Sequence, residues 1–125
     1  MSLEGDLVTH IKASAINANI SGRIYPQQAP QKASLPYIVV TRVATDAVQV
    51  LSEKSTQDFT LYQIDIIADD YVEVRGLAES LRDILDSSSP GDIKWIRFES
   101  DNDAYDPETE FPRVIQEYRI SYTNS

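Results

Sequence analysis

The sequence predicts an α+β fold of order α-β-β-α-β-β, with two helices packed on one face of a four-stranded, mainly antiparallel sheet. Three observations predict it. Two stretches repeat apolar residues at helical spacing, and four are rich in β-branched and aromatic residues. The strand-like stretches also come in consecutive pairs, so each pair is expected to close as an antiparallel hairpin. Helices gathered on one side of such a sheet are the economical packing.

The first helix is expected over roughly 3–17, where Leu3, Leu7, Val8, Ile11 and Ala15 share one face and Asp6, Thr9 and Lys12 lie between them. Asn17, Asn19 and Gly22 are its stop signals. Residues 23–36 hold Pro26, Pro30 and Pro36, which forbid a helix and predict an extended connector. Tyr37 to Val43 reads as the first strand and Phe59 to Ala68 as the second. Between them Thr45 to Asp58 is a long hairpin loop or a ragged strand extension. Asp70 opens the second helix with Glu73 three residues on, the spacing of a capping box. Val74, Leu77, Ala78, Leu81, Ile84 and Leu85 form its stripe, and Ser87 to Gly91 ends it. Ile93 to Ser100 is the third strand, Asp101 to Glu110 an acidic turn, and Phe111 to Tyr122 the fourth strand. No repeat or low-complexity linker divides the chain, so a single domain over 1–125 is expected. The order is that of a circularly permuted ferredoxin-like arrangement.

Composition narrows the chemistry. Hydrophobic residues make up 42% and charged residues 25% of 125 residues, an ordinary globular balance. The net charge of −9 disfavours nonspecific grip on nucleic acid or anionic membrane. With no cysteine, thiolate metal sites, disulfides and cysteine nucleophiles are excluded. No apolar run reaches membrane-spanning length and no signal peptide is evident, so a cytoplasmic protein is the default. The lone histidine, His10, reads as a surface or boundary residue rather than a ligand or base. The four glycines never cluster, which rules out a phosphate-binding loop, and no serine elbow or triad order is present. No catalytic, cofactor-binding or metal-binding residues are assigned, and no cofactor is expected.

Side-chain alternation splits the sheet into two faces. Tyr62, Ile64, Ile66 and Ala68, then Ile96 and Phe98, then Val114, Tyr118, Ile120 and Tyr122 are expected to face the helices. The other face then carries Phe59, Leu61, Ile67, Trp95, Arg97, Ile115, Glu117 and Arg119. Two helices cannot cover both sides, so a face this apolar is expected to meet a partner. Phe59, Leu61, Ile67, Trp95, Arg97 and Arg119 are the interface candidates. The plainer reading is that isolated apolar residues on a surface are normal.

The stretch from Glu99 to Glu110 carries six acids and no base. It lacks the central glycine of a calcium-binding loop, and paired carboxylates need a pocket to act as acid and base. A solvated hairpin tip is the expected reading. Asp101, Asp103, Asp106, Glu108 and Glu110 are the candidates for an electrostatic or partner contact.

Several landmarks in order carry a resemblance. They are Ser21-Gly22-Arg23-Ile24-Tyr25-Pro26, Ala29-Pro30-Gln31, Leu35-Pro36-Tyr37-Ile38-Val39, Ile66-Ile67-Ala68-Asp69-Asp70-Tyr71, and Glu99-Ser100 through Tyr105-Asp106-Pro107-Glu108-Thr109. Together they resemble the tail-completion, or tail terminator, family of long-tailed phages and prophages, and the chain is similar in architecture to the lambdoid tail terminator. Thr45 to Asp58 has no clear counterpart. The resemblance implies a structural homo-oligomer, typically a hexameric ring, at the head-proximal end of the tail tube. Its implied partners are itself, the tail tube protein and the head connector protein, with DNA passing through the lumen without specific binding and no membrane. It implies a place in the virion tail, and in the host cytoplasm before assembly. An alternative from another class is a small ligand- or ion-binding regulatory module, since such folds host many functions; a hydrolase using the acidic turn is a third reading.

Overall fold

The structure is a computed structural model that describes residues 3–14, 16–30, 33–49, 56–86, 93–105 and 111–124, with the backbone alone at 3–4, 44–49, 56–59 and 122–124. The elements are α1 (Leu3–Lys12), α2 (Asn17–Ile20), β1 (Ile24–Pro26), β2 (Tyr37–Gln49), β3 (Thr56–Ile67), α3 (Tyr71–Leu85), β4 (Ile93–Tyr105) and β5 (Pro112–Asn124). The class is α+β as expected. The sheet, however, has five strands in the order β1-β2-β3-β5-β4, and there is a third, single-turn helix.

The fifth strand comes from the proline-rich connector. Ile24, Tyr25 and Pro26 pair in parallel with Ile38, Val39 and Val40. Proline is tolerated because β1 is an edge strand and Pro26 need not donate outward. Arg23 holds the returning chain by donating to the carbonyls of Pro36 at 3.0 Å and Leu35 at 3.2 Å.

The expected first helix is divided. Ser14 bonds back to the Ile11 carbonyl, a local bond that competes with helix continuation. The chain restarts at Asn17 and stops at Ser21 and Gly22, whose φ values of 50° and 74° are left-handed. Asn17 Oδ1 accepts from Gly22 N–H at 3.0 Å, which fixes that stop.

The hairpin between β2 and β3 resolves toward strand extension. The ladder runs from Tyr37↔Ile67 to Gln49↔Thr56, with an irregularity between Arg42 and Ala44. Residues 50–55 lie outside the described residues. The capping box forms as the spacing implies: Asp70 Oδ1 accepts from Glu73 N–H at 2.8 Å. The reciprocal bond reaches one residue further out, from Asp69 N–H to Glu73 Oε1 at 3.4 Å.

Val74, Leu77, Ala78, Leu81 and Leu85 are buried on α3. They pack with Leu7 and Ile11 of α1 against Tyr62, Ile64, Ile66, Val114, Tyr118, Ile120 and Ile96 of the sheet, as the alternation expects. Phe98 is half-buried, edge-on to Tyr118 at 5.6 Å, with the Arg82 guanidinium 3.8 Å above its ring. Tyr122 falls among the residues whose side chains are not described. His10 is half-buried and donates from Nε2 to the Ile84 carbonyl at 3.1 Å, tying α1 to the end of α3.

Candidate functional site

The expected acidic turn is the main correction at the site. Asp101 to Tyr105 are not a turn but the second half of β4, paired with Gln116 to Pro112 of β5. The register shifts between Phe98 and Ser100, leaving Glu99 as an extra residue. Such a bulge reverses which residues face the helices. Ser100, Asn102 and Ala104 therefore share the helix-free face, while Asp101 and Asp103 turn toward α3.

There α3 supplies a cation. Arg75 lies 2.6 Å from Asp101 and 3.1 Å from Asp103, and the Tyr71 hydroxyl donates to Asp103 at 3.0 Å. Gln116, fully buried, donates to Asp101 at 3.1 Å and to the Ala78 carbonyl at 3.0 Å, and its own Oε1 accepts from the Tyr118 hydroxyl at 2.7 Å. Burial opposes a charge on Asp101, but the bonds from Arg75 and Gln116 outweigh it and hold its pKa below the ordinary value. Burial pushes the Tyr118 hydroxyl well above its usual range. Low strand propensity of Asp and Asn is thus overridden by tertiary pairing. Asp106, Glu108 and Glu110 lie outside the described residues.

Around this network stands an apolar cleft of about 510 Å³, lined by Asp70, Tyr71, Asp103, Ala104, Tyr105 and Pro112. Tyr71 is 55%, Val72 82% and Tyr105 62% exposed. Sequence reasoning missed this cleft. The available signal was Tyr71, an aromatic residue off the α3 stripe beside the capping box.

The helix-free face collects the other candidates. Leu61, Trp95, Ile115 and Arg119 are half-buried there and Arg97 is exposed. Arg97 lies over the Trp95 ring at 4.8 Å. Arg119 pairs with Glu99 at 2.8 Å, Ser100 donates to Glu117 at 3.0 Å, and Arg113 reaches Asp65 at 3.5 Å. Ile67 belongs to this face by register but is only 3% exposed, so it has little area left to offer. The side chain of Phe59 is not described. Tyr25 and Tyr37 extend the face across β1 and β2 with rings 6.1 Å apart.

Among the described residues no cluster of three or more His, Asp or Glu is placed to hold a metal ion. Among the same residues, no helix is long and apolar enough to cross a membrane.

What the fold presents, then, is an open sheet face and an exposed aromatic cleft, the features of a protein that works through protein contacts. Residues 5–123 match the family described as tail completion protein gp17, and the chain belongs to that family. It is a structural protein of the virion tail and not an enzyme. The resemblance carried by the Gly22 to Tyr37 and Ile66 to Tyr71 landmarks is thereby borne out. The fold is also similar to a chain in the virion of a native gene transfer agent particle, with a TM-score of 0.78 and 15% identity over 98% of this chain and 96% of that one. No curated protein matches the chain.

Proposed function

We propose that the chain is one single-domain subunit of a homo-oligomeric ring, a hexamer, that caps the tail tube of a phage or prophage. The ring contacts the tail tube protein on one side and the head connector protein on the other. DNA passes through its lumen without specific binding; a chain of net charge −9 favours sliding over sticking. Before assembly the subunit resides in the bacterial cytoplasm.

The observation that carries this reading is the helix-free face, where Leu61, Trp95 and Ile115 remain partly exposed. A neighbouring subunit gives that face the cover that α1 and α3 give the other. Sedimentation velocity and electron microscopy test it, using the free chain and the chain mixed with tail tubes. Rings are expected, and added protein should stop tube growth. Ile115→Lys should leave the monomer folded and abolish the ring. A chain that stays monomeric in both settings would sink the proposal.

A further inference from the structure

The ring reading leaves open which surface of the neighbour covers the Trp95 end of the sheet. We infer that the exposed aromatic cleft at the start of α3 receives the Lys94-Trp95-Arg97 patch of the next subunit, so that the contact is head-to-tail. This rests on the ring reading and deepens it.

The two surfaces are complementary in charge. The cleft presents Tyr71 and Tyr105 to solvent, and Val72, the next residue of α3, is exposed beside Tyr71. Asp70 and Asp103 supply carboxylates to its lining, and Asp69 and Glu73, near Asp70 in the chain, are exposed as well. The guanidinium that reaches the lining Asp103, Arg75, is shared with Asp101. An apolar hollow with an acidic rim suits a partner that offers an aromatic ring beside a cation.

This chain has such a surface. Most of its described bases are engaged internally: Arg23 by carbonyls, Arg42 by Tyr62, Arg82 by Phe98, Arg113 by Asp65 and Arg119 by Glu99. Lys94 and Arg97 are exposed and sit on one strand on either side of Trp95, with Arg97 stacked on its ring. Lys12, also exposed, stands apart on α1.

Geometry also separates the two surfaces. Trp95 lies near the start of β4 and Tyr105 at its end, about 30 Å apart along the strand. Trp95 and Arg97 point from the helix-free face, whereas Asp103 turns toward α3. A contact between two different, distant patches of a subunit is heterologous. Such contacts generate rings when the rotation closes, whereas a self-complementary patch stops at a dimer.

The chain has no cysteine, so single introduced cysteines report contacts cleanly. Val72→Cys and Lys94→Cys alter exposed positions and leave Trp95 and Arg97 in place. Treated with a short bismaleimide, the mixture of the two variants should yield a covalent mixed dimer, and neither variant alone should yield more than background. Arg97→Glu should weaken assembly by about tenfold or more, as loss of a central interface cation does. Lys12→Glu makes the same change in net charge and should leave assembly near parental. Rings without a mixed cross-link would overturn the surface pairing and leave the ring reading standing. Self-linking of Val72→Cys in place of mixed linking would show a two-fold contact and overturn it as well. Equal losses for Arg97→Glu and Lys12→Glu would mean that net charge alone acts. Absence of both rings and cross-links would remove the two readings together.

Discussion

Arg75, in the second turn of α3, holds Asp101 of β4 at 2.6 Å. This pair spans helix and sheet and turns an acidic stretch into ordered strand. The same guanidinium reaches Asp103 at 3.1 Å, and Gln116 closes the network from β5. The exposed cleft is therefore built on a charged scaffold, and its shape depends on that scaffold.

Replacing Arg75 with Ala should destabilise the domain by about 1–2 kcal/mol, because both carboxylates lose their cation while remaining partly open to water. Urea unfolding measures this. A change near zero would mean that solvent screens the pair fully.

Stability should fall on the acid side through Asp101. Its folded pKa lies below the unfolded one, so the unfolded chain binds more protons as pH drops. The contribution is fully present above the ordinary carboxylate range and lost as pH falls through the folded value. Asp101→Asn should flatten the stability profile between about pH 5 and pH 2 relative to the parent. Identical acid limbs would contradict the assignment.

Leu81 is fully buried in the middle of α3. Leu81→Ala should cost about 2–5 kcal/mol and Leu81→Asp should unfold the chain. A soluble Asp variant that melts cooperatively near the parental temperature would refute the packing of α3 on the sheet.

Removing the Tyr118 hydroxyl leaves buried Gln116 Oε1 without its donor at 2.7 Å. Tyr118→Phe should cost about 1–3 kcal/mol, larger than a surface Tyr→Phe change. Thermal melts of Tyr118→Phe and Tyr105→Phe, the latter at an exposed ring, compare the two.

Trp95 is the single tryptophan and is half-buried on the helix-free face. Its emission should shift to the blue when subunits assemble, because a neighbour removes water from the ring. Fluorescence of monomer and ring, each identified by sedimentation, makes the comparison. An unchanged spectrum would place the contact elsewhere.

Local signals carried much of the fold. The α3 stripe from Val74 to Leu85, the Asp70 and Glu73 cap, and the alternation of Tyr62, Ile64 and Ile66 depend on periods and spacings within a few residues, and each was legible. So was the family, whose landmarks are short motifs in fixed order. The third, single-turn helix, the strand at Ile24 to Pro26 and the strand end at Tyr105 were not. A three-residue edge strand has too few side chains to show a period, and its existence depends on Ile38 to Val40 arriving beside it.

The acidic stretch shows the same division most sharply. From sequence alone Asp101 and Asp103 belong to a solvated turn, because Asp and Asn disfavour strands and the stretch from Glu99 to Glu110 holds no base. Arg75 is distant in sequence but adjacent in space, and the bulge at Glu99 aims both carboxylates at it. Periods and short motifs along the chain are enough to read off the fold class, the core stripes and the family. Which acids are paired and which apolar residues stay exposed emerges only in the packed chain, because pairing and exposure depend on what long-range packing brings alongside.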